Sequence, residues 1–238
     1  MKIKKLSIIT VLIIAVLSVS MLAGCEKEKS KNNFPSNKST VISAKNSSQR
    51  SYDMDIEEFT EKFNEMYEDK TEKGGVALDS KDKPTGLTEE NFTQIGEKNV
   101  KNGETTCNTY HHPTAKCEII LTVDNNTEKI ISFAVATTGE VWEKSAKDVE
   151  TVAVIGSVVC GGYEVEDFDF FKKLYESAIS GNCFYDNILY KTSGTEKDNS
   201  SVIKLMSLPC SKDSISKTSY TDYKKYLNKK CKFGEHYV

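Results

Sequence analysis

Arginine, tryptophan, proline and histidine are scarce in this chain, and each scarcity removes a class of function. Arg50 is the only arginine among 238 residues, and it lies ahead of the first segment with a folding pattern. Bidentate recognition of phosphate or carboxylate by a guanidinium is therefore closed to the rest of the chain. Trp142 is the only tryptophan, which weighs against a sugar site built on exposed aromatic rings. Four prolines and 13 glycines exclude collagen-like and proline-rich classes. No G-x-S-x-G, H-E-x-x-H, P-loop or paired-glycine dinucleotide motif occurs, so no catalytic signature or cofactor is indicated.

What is present is charge, unevenly placed. Residues 1 to 24 carry three lysines and no acid, which leaves the remainder of the chain at 29 basic against 35 acidic residues, net −6. Segment 26 to 52 is +4, so 53 to 238 is −10. An acidic body argues against a nucleic-acid partner, whose phosphates demand a basic face.

The first residues, Met1 to Lys5, are positively charged and are followed by an apolar run from Leu6 to Leu22, the pattern of a secretory leader. The run ends in Leu22-Ala23-Gly24-Cys25, which resembles the lipobox of bacterial lipoproteins. That resemblance covers about the first 25 residues. It implies that Leu22, Ala23 and Gly24 present an extended backbone to the signal peptidase and that the Cys25 thiol takes a diacylglyceryl group. A dually acylated cysteine anchors stably in the bilayer and holds the body at the extracytoplasmic face of the cell membrane. The competing reading, an uncleaved anchor, has just enough apolar length to span a bilayer. It gives no reason for the tetrad to be followed at once by Glu26-Lys27-Glu28-Lys29.

Three domains are expected: a signal peptide over 1–24, the lipidated cysteine with a disordered basic tether over 25–52, and an acidic folded body over 53–238. Because the tether lacks a periodic apolar face, a chain beginning at Tyr52 should melt close to the full mature chain. In the body, Asp55 is placed to cap a helix carrying Ile56, Phe59, Phe63, Met66 and Tyr67 on one face, with Glu58 reaching back. Residues 70–103 read as a long connection with one short helix capped by Thr88 and stapled by Leu87 and Phe92. Strand signals follow at Thr105–Tyr110, Cys117–Val123 and Ile130–Thr137, an antiparallel meander with its first turn at His112-Pro113. Two helices come next, one from Ala146 to Val159 closed by Gly161-Gly162, the other around Phe171, Leu174, Tyr175 and Ala178 closed by Gly181. Strands at Phe184–Lys191 and Val202–Ser207 flank a loop at 193–200, and Tyr220, Tyr223, Tyr226 and Leu227 fall at helical spacing. Helices grouped with a meander indicate an α+β fold, an antiparallel β-meander packed against helices. Phe63-x-x-Met66-Tyr67-Glu68 recurs as Phe171-x-x-Leu174-Tyr175-Glu176, which leaves open a division into two αβ halves.

Candidate chemistry is thin. Six cysteines remain after Cys25, and an even number in an exported chain invites disulfides that sequence cannot connect. None has the close pairing that puts two thiolates on zinc, so no metal is expected; buried free thiols are the plain alternative. If the first hairpin turns about His112, Cys107 and Cys117 face each other with Cα atoms about 4.5 to 5.5 Å apart, inside disulfide range. A slip of one residue would leave both thiols free or paired elsewhere. His111 and His112 are neighbours on a strand and point to opposite faces, so they favour exposed turn residues over a metal site. Glu164, Glu166, Asp167 and Asp169 suit a solvated helix start, and Asp124-Asn125-Asn126 lacks the calcium-loop pattern. The function expected from these signs is a non-enzymatic lipoprotein that binds an envelope protein or ligand. An envelope-metabolism enzyme is the alternative, and a solute-binding receptor ranks third.

Overall fold

In the computed structural model the described residues are 34–35, 42–43, 50–72, 86–102, 105–179, 181–197, 200–211, 215 and 220–225. The leader and the lipobox lie outside them. Contacts divide the chain at Phe34, and the fold described below belongs to the unit that begins at Pro35.

The alternation in Ile119, Leu121 and Val123 builds the centre of the fold, because a strand sends successive side chains to opposite faces and all three are buried. Strands β4 (Thr105–Pro113), β5 (Glu118–Asp124) and β6 (Ile130–Thr138) form the expected antiparallel meander. Two earlier pieces, β1 (Ile42–Ser43) and β2 (Arg50–Ser51), pair with each other. Strands β3 (Thr93–Asn102), β7 (Asn182–Tyr185), β8 (Ile188–Lys197), β9 (Ser200–Pro209) and β10 (Tyr220–Asp222) complete one eight-stranded sheet in the order β10-β7-β8-β9-β6-β5-β4-β3. Every neighbouring pair in it is antiparallel except β10 with β7.

Among the described residues three α-helices cover one face. Helix α1 (Ile56–Glu72) starts where Asp55 Oδ1 accepts the Glu58 N–H at 3.0 Å, but the Glu58 side chain pairs with Lys62 instead of closing the capping box. Helix α2 (Gly139–Cys160) begins earlier than its apolar period foretells, because Thr138 Oγ1 accepts the Val141 N–H, and it kinks at Ser145. Helix α3 (Phe168–Ile179) buries Phe168, Phe171, Leu174, Tyr175 and Ala178. The central helix α2 packs on α1, α3, β6 and β9, while α3 lies over β7 and β8. Its approach to the sheet depends on Gly156: a Cβ there would lie 2.1 Å from the Phe133 ring, so no side chain fits without a shift.

Several expectations are corrected. The connection over 70–103 contains β3, an edge strand whose side chains are mostly exposed, so its sequence has no apolar alternation to betray it. It is held by main-chain bonds to β4 and bulges between Ile95 and Val100, where Gly96 and Asn99 take positive φ. Glu89–Asn91 is a single 3₁₀ turn rather than a helix; Thr88 makes no side-chain cap, although Leu87 and Phe92 are both buried. The expected strand at Phe184–Lys191 is a hairpin, since Asp186 (φ 48°) and Asn187 (φ 64°) turn the chain as a two-residue loop of left-handed residues does. The 193–200 loop is shorter than expected because β8 and β9 extend into it. Tyr220 lies in β10 rather than in a helix, while helical turn structure begins only at Tyr223.

The described part of the 25–52 segment touches the body. Tyr185 Oη donates to the Pro35 carbonyl, and the Tyr52 N–H donates to the Ile130 carbonyl at 2.8 Å. Tyr52 is fully buried, its hydroxyl donating to Ser207 Oγ at 3.0 Å.

Candidate functional site

Register decides the fate of the expected cysteine pair. The first hairpin turns at 114–117, where Thr114 Oγ1 donates to the Cys117 carbonyl at 2.7 Å, and not at His112-Pro113. Pro113 therefore pairs with Glu118 and Cys107 with Asp124. Cys107 and Cys117 stand near opposite ends of β4, about 20 Å apart at ~3.3 Å per residue, which no disulfide spans. The described cysteines 107, 117, 160, 183 and 210 are all free. Burial pushes the Cys117 and Cys183 thiols up to about 11 and raises Cys107 and Cys160 as well. These four are protonated at neutral pH and are poor nucleophiles.

The histidines lie within β4, not at its tip. His112 is buried beneath Phe92, ring centroids 5.2 Å apart, and its Nδ1 lies 3.0 Å from the Pro113 carbonyl. A carbonyl only accepts, so Nδ1 carries the proton and Nε2 faces the interior without a hydrogen-bond partner. His111 points to the other face, with Nδ1 3.6 Å from Glu118 Oε2. The pair cannot act on one substrate atom. Among the described residues no group of three or more His, Cys, Asp and Glu is placed to hold a metal ion.

Carboxylates do collect at one place. An open groove of about 450 Å³ between α1 and the 162–165 segment is lined by Lys62, Glu65, Met66, Asp69, Tyr163 and Glu164, among others. Glu164 is committed to local structure: its side chain and that of Asp167 cap one another's backbone across the Val165–Asp167 turn. Asp124 is similarly occupied, its Oδ1 accepting the Asn126 N–H at 2.9 Å in a tight turn.

Among the described residues, no α-helix packs on the other face of the sheet. Since Leu205 pairs with Val135 beneath the helices, the adjacent Lys204 and Met206 face away from them, together with Ala134, Ala136, Ile120, Lys191 and Ser193. At the β7–β8 end of this face Phe184, Leu189 and Ile215 form a small apolar cluster with Leu208, Cys210 and Tyr220 around it. Toward the middle the floor is Ala134 and Ala136, with Ile120 on one side and Met206 on the other. Lys204, on β9 near the centre of the sheet, is half-buried and has neither hydrogen bond nor ion pair; desolvation lowers its pKa below the ordinary lysine value. Neither Lys204 nor Lys191 belongs to a recognisable motif. The available signal was a lysine between Ile203 and Leu205, in the middle of an apolar strand.

Fold and face together define a class: an α+β body in which the described helices lie on one side of a mostly antiparallel eight-stranded sheet. No family model matches the chain, and neither does any curated protein or solved structure.

Proposed function

We propose that this chain is a bacterial lipoprotein, anchored by a lipidated Cys25 at the extracytoplasmic face of the cell membrane, and that its body is a non-enzymatic binding module for an envelope protein or ligand. The lipobox residues Leu22, Ala23, Gly24 and Cys25 support the anchor. No helix among the described residues is long and apolar enough to cross a membrane.

The observation that carries binding over catalysis is the dispersal of reactive groups. His111 and His112 lie on opposite faces of one strand, and among the described residues the acid-lined groove has neither a histidine nor a cysteine. The helix-free sheet face, by contrast, sets lysine, methionine and alanine side chains side by side on adjacent strands, a surface suited to contact. Glu65, Asp69 and Glu164 in one groove favour the second reading, an enzyme of envelope metabolism using carboxylates.

Two measurements test this. Mass spectrometry of the mature protein should find a diacylated N-terminal Cys25, and Cys25→Ala should release the body or leave precursor; an intact peptide running through Gly24-Cys25 overturns the anchor. Photocrosslinkers placed at Ile120 and at Glu65 in membrane-bound protein separate the readings. A discrete adduct at Ile120 alone supports the binding face, and one at Glu65 alone supports the groove.

A further inference from the structure

The lysines whose burial is described are either exposed or partnered, with two exceptions that lie together. Lys116 is partly buried and held 2.5 Å from Asp148 Oδ2; Lys129 lies 3.6 Å from Asp53 Oδ1; Lys70 stands over the Phe168 ring at 4.8 Å. Lys98, Lys101, Lys147, Lys172 and Lys224 have no partner but are exposed. Among the lysines whose burial is described, only Lys191 and Lys204 are half-buried with no hydrogen bond, ion pair or aromatic ring as partner. Both project from the helix-free face. Lys204 is opposite Ser193 and Lys191 opposite Met206, so the two lysines are diagonal neighbours on β8 and β9, about 7 Å apart.

Each is half-buried and lacks the compensation that Lys116 has. The nearest described acid on the same face, Glu118, is separated from Lys204 by Ala136 of the intervening strand, about 10 Å across two strand spacings, and is oriented toward His111. An anion seated between Lys191 and Lys204 would relieve both.

Resting on the binding-module reading, we propose that the sheet face opposite the described helices, centred on Lys204 and Lys191, receives an acidic segment of a partner polypeptide, its carboxylates meeting the two ammonium groups and its apolar side chains covering the half-buried Met206, Ile120 and Ala136. Charge complementarity supplies the sign of the ligand. The apolar floor favours a peptide over a phosphodiester polymer, which would leave that floor uncovered and would call for more cations than two.

The test uses the full mature chain with its lysines labelled as ¹³C-dimethylamines, which remain cationic. The Lys191 and Lys204 signals are assigned from single Lys→Met variants, and a blocked peptide of alternating Leu and Glu is the probe. Saturable shifts of both signals are expected, with a raised Lys204 titration midpoint in the complex. The Leu-Gln peptide should bind at least about tenfold more weakly, and so should the Leu-Glu peptide to the Lys191→Met/Lys204→Met variant. That variant should fold with an unchanged or higher Tm, because it removes uncompensated charge without removing volume. Equal binding of the Gln peptide, equal binding by the double variant, no binding at all, or shifts produced only by inorganic phosphate would each overturn the proposal. A crosslinked partner at Ile120 that survives the double substitution would end the acidic-segment proposal and leave the binding-module reading standing. No adduct at Ile120 would remove the reading itself.

Discussion

The two faces of one sheet, a single residue apart along every strand, are different materials. Beneath the helices the central rows present Phe133, Val135, Leu205, Ser207 and Tyr190, each fully buried. Shifted by one position, the same strands present Ala134, Ala136, Lys204, Met206 and Lys191. Each large apolar side chain taken fully out of water contributes about 1.5 to 3 kcal/mol, so the first face carries the stability. Some of its polar groups pair within it, Tyr52 donating to Ser207 and Ser157 sharing a hydrogen bond of 2.7 Å with Tyr175, while His112 Nε2 has none. On the second face Lys191 and Lys204 are left without partners. A face that spends little on stability is the face free to be used for contact.

The largest break in this comparison is Phe133→Ala. Phe133 lies 5.8 Å from the Phe59 ring and directly beneath Gly156, so truncation leaves a cavity under two helices. A loss of about 3 to 5 kcal/mol is expected in urea unfolding. Met206→Ala, on the same sheet but the opposite face, should cost under about 1.5 kcal/mol. Equal costs would mean that the helix-free face is packed as a core.

Gly156→Ala comes next. Alanine is the better helix former, but its Cβ would meet Phe133 at 2.1 Å, and overpacking costs about 1 to 3 kcal/mol. Phe133→Leu should recover part of that loss in the double variant, since it shortens the obstructing group. Strictly additive effects in the cycle would show that α2 moves away from the sheet instead of pressing on it.

How far these faces could be read from sequence varies by element. The β5 alternation, the Asp55 cap and the glycines after α2 and α3 announce themselves, because each rests on a local rule. The edge strand β3 does not: Thr93–Asn102 buries almost nothing, and only the neighbouring β4 backbone makes it a strand. Asp186-Asn187 was legible as a turn, since both residue types tolerate positive φ, yet the apolar residues on either side concealed it within one apparent strand. The cysteine register failed for a similar reason. His112-Pro113 looks like a turn by composition, whereas Thr114 closes the real one three residues later with its hydroxyl. Of the site, the lysines are legible in sequence but their isolation is not, because it depends on what the neighbouring strands place around them.

A smaller effect concerns the segment ahead of the helices. Tyr52→Phe removes the hydroxyl that donates to Ser207 and leaves the ring in place. About 1 to 2 kcal/mol should be lost, read as a shift in the urea midpoint with unchanged slope. A chain beginning at Tyr52 should lose less than this relative to one beginning at Pro35, because among the described residues it forfeits the two-residue β1–β2 ladder, the packing of β2 on β6 and the Tyr185–Pro35 bond, all at the edge of the core. A greater loss would show that the preceding segment is part of the core.

The smallest effect has the opposite sign. Burial lowers the Lys204 pKa in the folded protein below its unfolded value near 10.5. Between those two values the unfolded chain holds more protons than the folded one, so stability contributed at this site rises with pH through that window. Below it the full cost of the buried charge is present. Lys204→Met should therefore stabilise the protein at neutral pH, by about 1 kcal/mol or less after allowance for solvent screening. The advantage should shrink as pH approaches 10.5 and the wild-type amine loses its proton. Saturating acidic peptide should abolish the advantage at neutral pH, since the wild-type charge is then paired and binding itself adds to stability. An Lys204→Met variant less stable than wild type at pH 7, with no peptide present, would mean that the ammonium already has its anion within the fold, and the contrast between the two faces would lose its electrostatic half.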